Sequence, residues 1–305
     1  MVQFIRLPVP MGTGETVYAA LVKSEDHAVL IDTGTRKGFD SLWQHLEQHL
    51  FLEARPLDAI LMTHAHQDHY GGLHQLLQRV KAPVLCWQGA VEYYTSFPNV
   101  LLRRAKYIGE LATRLGIEET VHNQLTSGYD RLARQHSQVR ITETLQEGDL
   151  FQRGDICLHV HHHPGHHPHA LVFVDQKQSV AVTGDNLFLK FRSPPGVEFD
   201  GQGRRLPCLP ALCNSLERLA QLNLHRALPS HGSEITGVTE VVEQNLNAYL
   251  RGAERLRPLI EAGERPPIQN LMKSAFGDVP LPYWGLRLGF LLGYLDLLGA
   301  GETYR

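Results

Sequence analysis

Short apolar segments alternate with helical patterns through most of the chain. Residues 2–8, 17–23 and 27–32 are rich in β-branched residues and are separated by glycine-rich or charged turns, which predicts three strands. The apolar positions that follow have helical spacing, at Phe39, Leu42, Trp43, Leu46 and Leu50. Strands and helices are mixed in this way up to about residue 235, and from Val238 the pattern is almost wholly helical.

This mixture predicts an α/β (α+β) fold in two parts. We expect a main domain over residues 1–237, with a polar helical insert at about 88–138, and a helical extension over residues 238–305. After the insert, strands should resume near Val139–Thr142. At the end of the chain we expect a helix, a glycine stop and a short polar strand.

The composition is that of an ordinary globular chain with no dominant charge. A net charge of -3 over 305 residues argues against broad contact with nucleic-acid phosphates. No apolar run reaches the roughly 18 residues of a membrane-spanning helix, and Met1–Gly14 lacks a signal-peptide pattern. We therefore expect a cytoplasmic protein whose cysteines are reduced and form no CxxC pair, namely Cys86, Cys157, Cys208 and Cys213.

The densest chemical pattern is the heptapeptide THAHQDH at residues 63–69. Three histidines and one aspartate follow an apolar run directly, and a loop at a strand end can present such side chains from a rigid scaffold. His64 and His66 should point to one side, while Asp68 and His69 turn toward a second point. Since imidazole and carboxylate groups bind divalent metals, this loop predicts two neighbouring metal positions.

Three later strand ends each carry one candidate ligand beside a glycine. They are HPGH ending at His166, TGD ending at Asp185, and SHG around His231. A metal site usually takes its ligands from several strand ends, so these residues complete the set that the first loop begins.

These four stretches, in this order and spacing, resemble the metal motifs of the metallo-β-lactamase superfamily. THAHQDHYGG is similar to the first motif, especially in the glyoxalase II-like branch, and VLIDTG is similar to the usual second strand and turn. The resemblance covers about residues 1–235 and implies an αββα sandwich with metals at one edge. The C-terminal helices resemble the small winged-helix-like extension of some members. One departure is that Ala170 replaces the usual trailing histidine of the third motif, with His169 one place earlier.

The resemblance also implies a role for each ligand. The first metal would be bound by His64, His66 and His166, and the second by Asp68, His69 and His231. Asp185 would bridge both ions. Five imidazoles and two carboxylates suit zinc, with iron or manganese as alternatives. A metal-bound hydroxide would then be the nucleophile, and Asp68 is our candidate catalytic residue, which would orient the nucleophile and accept its proton.

Four side chains beside the motifs are candidates for contact with the substrate: Tyr70, His169, Lys190 and Arg192. For Tyr70 the alternative is packing beside the metal loop, and for the two basic residues it is a solvated loop. The other histidines around His166 should have no ligand role, although His167 or His169 could line the rim of the pocket. Asp32 should fix the turn and the metal loop through hydrogen bonds.

The function expected from these residues is hydrolysis of a small ester, thioester or lactone. One alternative is a phosphodiesterase or nuclease of the same fold, which would need a basic groove. Another is a binding or signalling protein that retains the metal site. We expect a small-molecule substrate, no nucleic-acid or membrane partner, and a tail that packs on the main domain or forms a homodimer contact.

Overall fold

The computed structural model describes residues 1–50, 56–129, 138–262 and 265–304. In these ranges, twelve strands form two six-stranded sheets. The first sheet contains, in both chain order and spatial order, β1 (Gln3–Pro10), β2 (Thr16–Lys23), β3 (Ala28–Ile31), β4 (Ala59–Leu61), β5 (Val84–Trp87) and β6 (Glu143–Leu145). The second sheet contains β7 (Leu150–Arg153), β8 (Ile156–His162), β9 (Leu171–Asp175), β10 (Val180–Gly184), β11 (Arg226–Pro229) and β12 (Ile235–Thr236).

Both sheets are mixed. The strands β1, β2 and β3 pair antiparallel, whereas β3 to β6 pair parallel. In the second sheet only β10 and β11 run parallel among the described pairs. Parallel strands deliver their carboxyl ends to one edge of a sheet, and this is the edge at which the loops after β3, β4, β10 and β11 meet.

The helices lie between and after the strands. They are α1 (Phe39–His49), α2 (Gln67–Tyr70), α3 (Leu73–Leu77), α4 (Val91–Thr95), α5 (Phe97–Arg114), α6 (Glu119–Thr126), α7 (Cys208–Gln221), α8 (Val238–Glu254), α9 (Arg257–Glu261), α10 (Ile268–Phe276) and α11 (Trp284–Leu297). None of the helices in the described ranges is long and apolar enough to cross a membrane.

Three hydrophobic clusters show how these elements are layered. One cluster lies between the sheets and contains Ile31 and Phe173, while their neighbours Leu30 and Val172 point to the outer faces. The helices α1 and α3 cover the outer face of the first sheet. The helices α7, α8 and α11 cover the outer face of the second sheet. Side chains therefore alternate between two buried faces, and the αββα sandwich predicted from the sequence is confirmed.

The predicted insert contains α4, α5 and α6, and residues 130–137 lie outside the described ranges. The strand after the insert begins later than the expected Val139–Thr142, because the backbone N–H of Val139 donates to Tyr94 O at 2.9 Å rather than to the sheet. The prediction of a polar strand at the end of the chain was wrong. Residues Gly301–Tyr304 form a 3-10 turn, in which Tyr304 is buried and its hydroxyl donates to Pro266 O at 3.0 Å.

The C-terminal extension shares its core with the main domain. Apolar residues of α8, α10 and α11 belong to the same cluster as those of α7. The extension contains helices and no strand within residues 238–262 and 265–304, so it lacks the β-hairpin wing of a winged helix. A buried ion pair also joins the extension to the main domain. Arg205 Nη1 lies 2.7 Å from Asp296 Oδ2 on α11. Their side chains are 3% and 5% exposed.

Candidate metal centre

The loop after β4 is held in place by Asp32, the residue that follows β3. Asp32 accepts hydrogen bonds from Thr63 N at 2.8 Å, Thr63 Oγ1 at 2.6 Å and His69 Nδ1 at 2.8 Å. Its backbone has a φ of 61°, an uncommon conformation for a residue other than glycine. These bonds confirm the expectation that Asp32 fixes the turn and the metal loop.

The first cluster of candidate ligands is made of three imidazoles. The Nδ1 atom of His66 lies 3.0 Å from His64 Nε2 and 2.9 Å from His166 Nε2. Two strand ends bring these rings together, since His64 and His66 follow β4 while His166 lies in the loop between β8 and β9. Three ring nitrogens therefore converge on one point.

The second cluster lies beside the first and contains two carboxylates. His231 Nε2 is 3.1 Å from Asp68 Oδ2, and His69 Nε2 is 3.8 Å from the same oxygen. Asp185 joins this group from the end of β10, where the register shifts at Gly184. Gly184 has a φ of 53° and an added Cβ would lie 3.0 Å from Thr63, so the turn that aims Asp185 favours glycine.

The carboxylate of Asp185 reaches both clusters. Its Oδ2 atom lies 3.4 Å from Nε2 of His166 in the first cluster and 3.5 Å from Nε2 of His231 in the second. Its Oδ1 atom lies 3.4 Å from His69 Nε2. Asp185 is the residue through which the two clusters meet, in the place that a bridging ligand would take.

In His166 and His69, a hydrogen bond at one ring nitrogen leaves the other ring nitrogen directed into the site. His166 Nδ1 donates to Pro194 O at 2.8 Å, and His69 Nδ1 is held by Asp32. In both rings Nε2 is then the atom that faces the site. The Nε2 atom of His69 and the Oδ1 atom of Asp185 are buried and make no hydrogen bond within the described ranges. These two atoms lie 3.4 Å apart, and a divalent cation bound between them would satisfy both.

The charges in the site are also those of a metal centre. Burial lowers the pKa of His66 to about 3 and holds the pKa of His64 well below its ordinary value, with the neighbouring histidines acting in the same direction. Burial alone would raise the pKa of Asp185, but His69 and His231 outweigh it and bring the pKa to about 2. Near neutral pH His64 and His66 are lone-pair donors and Asp185 is ionised, which is the form in which each binds a metal. Burial lowers the pKa of His69 and His231, but Asp185 and Asp68 outweigh it and raise both pKa values, so a metal bound at the second cluster would displace protons from these rings.

We expect Asp32→Asn to weaken metal binding about 10- to 100-fold. Asparagine has one side-chain oxygen, so it cannot accept all the hydrogen bonds that the two Asp32 oxygens accept from Thr63 and His69. The measurement is the metal dissociation constant by competition with a chelator. Asp58→Asn is the control, since Asp58 is an aspartate just before β4 that accepts a hydrogen bond from Ala28 N at 2.7 Å and belongs to neither cluster. Equal affinity in the wild type and Asp32→Asn would contradict this role.

The four candidates for substrate contact take different positions. Tyr70 is buried in the core, where its ring packs at 5.3 Å from the rings of Tyr94 and Phe97, which favours packing over substrate contact. His169 packs its ring against Tyr93 at 5.5 Å. Lys190 is exposed and Arg192 is half-buried, and both follow β10 on a loop at the edge of the site.

The cavities beside the clusters contain residues that the sequence analysis missed. Arg104 of α5 lines two cavities of about 280 Å³, each in contact with His66. It forms an ion pair with the buried Glu198 and contacts Tyr129 Oη at 3.3 Å. The sequence did contain a signal for this residue, because Arg104 interrupts an apolar helix face that includes Val100, Ile108 and Leu111. His167 lines the second of these cavities, as considered from the sequence.

The loop before His166 carries a buried histidine outside both clusters. His163 is 0% exposed, and neither of its ring nitrogens finds a hydrogen-bond partner within the described ranges. Burial lowers the pKa of His163 to about 3, whereas an unfolded histidine titrates at about 6.5. Between these values only the unfolded chain binds the proton, so this group makes the folded protein less stable as the pH falls.

We expect His163→Leu to reduce the loss of stability in acid. From pH 6 to pH 5 the wild type should lose about 1.2 kcal/mol more unfolding free energy than the variant. Urea unfolding of the metal-loaded proteins at both pH values measures the difference. His159→Leu, at a half-buried position on β8, is the control and should show the same change in unfolding free energy with pH as the wild type. Parallel pH profiles of the wild type and His163→Leu would refute the prediction.

A sequence profile of the metallo-beta-lactamase superfamily matches residues 12–231, the range that contains both clusters. The chain belongs to the metallo-beta-lactamase superfamily. It is 25% identical over 305 residues to a probable metallo-hydrolase, YqjP, of Bacillus subtilis, in a match that covers 98% of this chain and 92% of that protein. It is 29% identical over 177 residues to the human acyl-coenzyme A thioesterase MBLAC2, covering 55% of this chain and 57% of that protein.

Solved structures of superfamily members have the same fold. The protein TTHA1429 of Thermus thermophilus superposes with a TM-score of 0.73 at 24% identity, covering 97% of this chain and 94% of that one. A β-lactamase domain protein of Burkholderia ambifaria gives a TM-score of 0.72 at 20% identity, covering 98% and 87%. The sequence relatives and the two clusters together identify this superfamily member as a metal-dependent hydrolase.

Proposed function

We propose that this hydrolase binds two divalent ions, zinc in preference to iron or manganese, and cleaves a small ester, thioester or lactone. The observation that carries the proposal is the position of Asp185, whose oxygens face ligand atoms of both clusters. Five imidazoles and two carboxylates are a donor set that suits zinc. When bound, two such ions lower the pKa of a shared water, so that hydroxide is available near neutral pH.

Each side chain of the site then has a defined task. His64, His66 and His166 would hold the first ion, Asp68, His69 and His231 the second, and Asp185 both. Asp68 would also orient the attacking water and accept its proton. Burial would raise the pKa of Asp68, but His69 and His231 outweigh burial and hold it well below the ordinary value, which supports the metal-ligand and water-orienting roles of this carboxylate. The Asp68 carboxylate is therefore ionised and able to accept a hydrogen bond from water.

The surroundings of the site support an acyl substrate over a phosphodiester. The cavities at His66 have mostly apolar walls, and the charge of Arg104 is neutralised by Glu198. Arg36 and Lys37 line a separate cavity that reaches Asp68, and they would suit an anionic group on the leaving thiol. Together with the relative named as an acyl-coenzyme A thioesterase, this arrangement favours a thioester among the three substrates proposed.

Metal content and a substrate panel test the proposal together. Elemental analysis of protein reloaded with zinc should give roughly two ions per chain. A thioester, a lactone, an aryl ester and a bis-aryl phosphodiester are then compared, and the first three should be hydrolysed faster than the fourth. Asp68→Ala should abolish turnover, whereas Asp278→Ala, at a side chain that is 93% exposed, should not change it. Negligible metal after reloading with zinc, iron or manganese would contradict the proposal, and so would turnover of the phosphodiester alone.

A further inference from the structure

A cavity of about 280 Å³ opens from the first metal cluster and runs between the insert and the C-terminal extension. His66 and His166 lie at one end. The walls come from α5, α6, residues 194–197 and the start of α11. We call this space the insert–tail cavity. Because two candidate ligands of the first cluster line this cavity, a group bound there would lie next to the first metal position.

The walls of the insert–tail cavity are predominantly apolar. Its apolar lining includes Ile108, Leu125, Val197, Leu286 and Leu288. The charged group in the lining is Arg104, which is already paired with Glu198, and the neutral Gln124 and Tyr129 are also present. A charged ligand would lose water here without gaining an unpaired counter-ion, whereas an alkyl chain would bury apolar surface.

The wall contributed by the C-terminal extension is packed tightly against residues 194–197 of the loop after β10. A Cβ added at Gly289 of α11 would lie 2.4 Å from Pro195 O, so only glycine allows this close approach. The preceding carbonyl, Pro194 O, accepts the hydrogen bond from His166 Nδ1. One continuous chain of contacts therefore joins α11 to a ligand of the first cluster, and the cavity is part of the folded architecture of the site.

From this geometry we infer that the insert–tail cavity binds the acyl chain of the substrate, and that the enzyme prefers esters and thioesters of medium-length straight-chain acids to acetyl compounds. The inference rests on the proposed function and specifies its substrate. The acyl carbonyl would stand at His66 and His166, the chain would extend past Ile108 and Leu125, and the leaving group would remain on the side of Asp68. The insert and the extension together would thus set the acyl-chain preference.

The first test compares chain length on each side of the scissile bond. The metal-loaded enzyme is assayed with an octanoyl thioester of a short thiol and with the acetyl thioester of octanethiol. The acetyl thioester of the short thiol is the reference. The octanoyl thioester should exceed the reference in kcat/KM on the order of 10²-fold, since each buried methylene adds to binding. The same gain with acetyl-octanethiol instead would overturn the assignment of this cavity to the acyl chain.

The second test narrows the cavity at its mouth. Leu286 is 44% exposed and lines both the insert–tail cavity and a cavity of about 630 Å³ at His231, so Leu286→Trp adds bulk beside both cavities at a site where folding tolerates it. The octanoyl-to-acetyl ratio of kcat/KM should fall about tenfold in this variant. Leu250→Trp is the matched control, at a leucine of α8 that is 51% exposed, and it should keep the ratio of the wild type. An unchanged ratio in Leu286→Trp would overturn the inference.

A binding measurement separates this inference from the proposed function. Calorimetry with the zinc-loaded protein compares octanoate with acetate, which carry the same carboxylate. Octanoate should bind about tenfold more tightly or better, and Leu286→Trp should reduce that difference. If no ester or thioester is hydrolysed, the proposed function fails, while this comparison still tests the cavity. If the short thioester is hydrolysed and both ligands bind equally, the proposed function stands and the acyl cavity is refuted.

Discussion

Asp185→Asn is expected to lower kcat/KM about 10³-fold, because two metals contribute several kcal/mol of transition-state stabilisation and this residue contacts both clusters. The substitution preserves size and removes the negative charge. Asparagine also offers one oxygen where Asp185 places Oδ1 at 3.4 Å from His69 Nε2 and Oδ2 at 3.4 Å from His166 Nε2. Both ions should therefore bind more weakly, which elemental analysis after dialysis and steady-state kinetics measure together.

Two further variants show whether the loss is specific to a bridging position. His231→Ala removes a ligand from the second cluster alone, so about one ion per chain should remain. His64→Ala should do the same from the first cluster. Asp278→Asn, at an exposed aspartate, should behave as the wild type. If Asp185→Asn keeps as much metal and activity as Asp278→Asn, Asp185 has no bridging role.

Asp296→Ala is expected to lower the free energy of unfolding by about 3–5 kcal/mol, because it leaves the Arg205 guanidinium buried and without its partner. The two side chains are 3% and 5% exposed, so water does not replace the lost carboxylate readily. The ion pair also joins α11 to the segment before α7, and α11 forms part of the wall of the insert–tail cavity. Denaturant unfolding of the metal-loaded protein gives the free energy directly.

A double variant separates the cost of the unpaired charge from the value of the pair. Arg205→Met combined with Asp296→Leu should recover most of the stability lost in Asp296→Ala, since replacing both partners by apolar residues removes the uncompensated charge. Asp278→Ala serves as the exposed control. A loss in Asp296→Ala no larger than that in Asp278→Ala would show that the pair has no structural importance.

Much of the fold was predictable because the relevant patterns are local. Strand and helix periods are determined by residues two to four positions apart, so most strands, most helices and the helical insert followed from the sequence pattern, whereas the sandwich was implied by the resemblance of the metal motifs. Errors occurred where a distant partner took over the backbone. The Val139 N–H donates to Tyr94 O, and β6 begins only at Glu143. At the end of the chain the buried hydroxyl of Tyr304 donates to Pro266 O, which anchors the 3-10 turn against a residue 38 positions away.

The same distinction applies to the site. Four short motifs named all seven residues that the structure brings into the two clusters, because each motif lies at the end of a strand and four of the ligands share the loop after β4. Asp32 was also understood from its turn. The position of Arg104 at the site was not predicted. Its partner Glu198 is 94 positions away, and the pair forms only when the insert folds against the loop after β10.

The sequence by itself thus determined the superfamily, the layered sheets and the set of candidate ligands, all of which depend on spacing within short segments. The resemblance of the motifs also implied that Asp185 bridges two metals, and the structure places its oxygens against both clusters. The tertiary structure alone decided that the insert and the extension enclose an apolar cavity. It also decided that Asp296, which in the sequence only interrupts an apolar run, is the buried partner of Arg205. Such contacts join residues about a hundred positions apart, and no local pattern encodes which distant side chain a buried charge or cavity wall will meet.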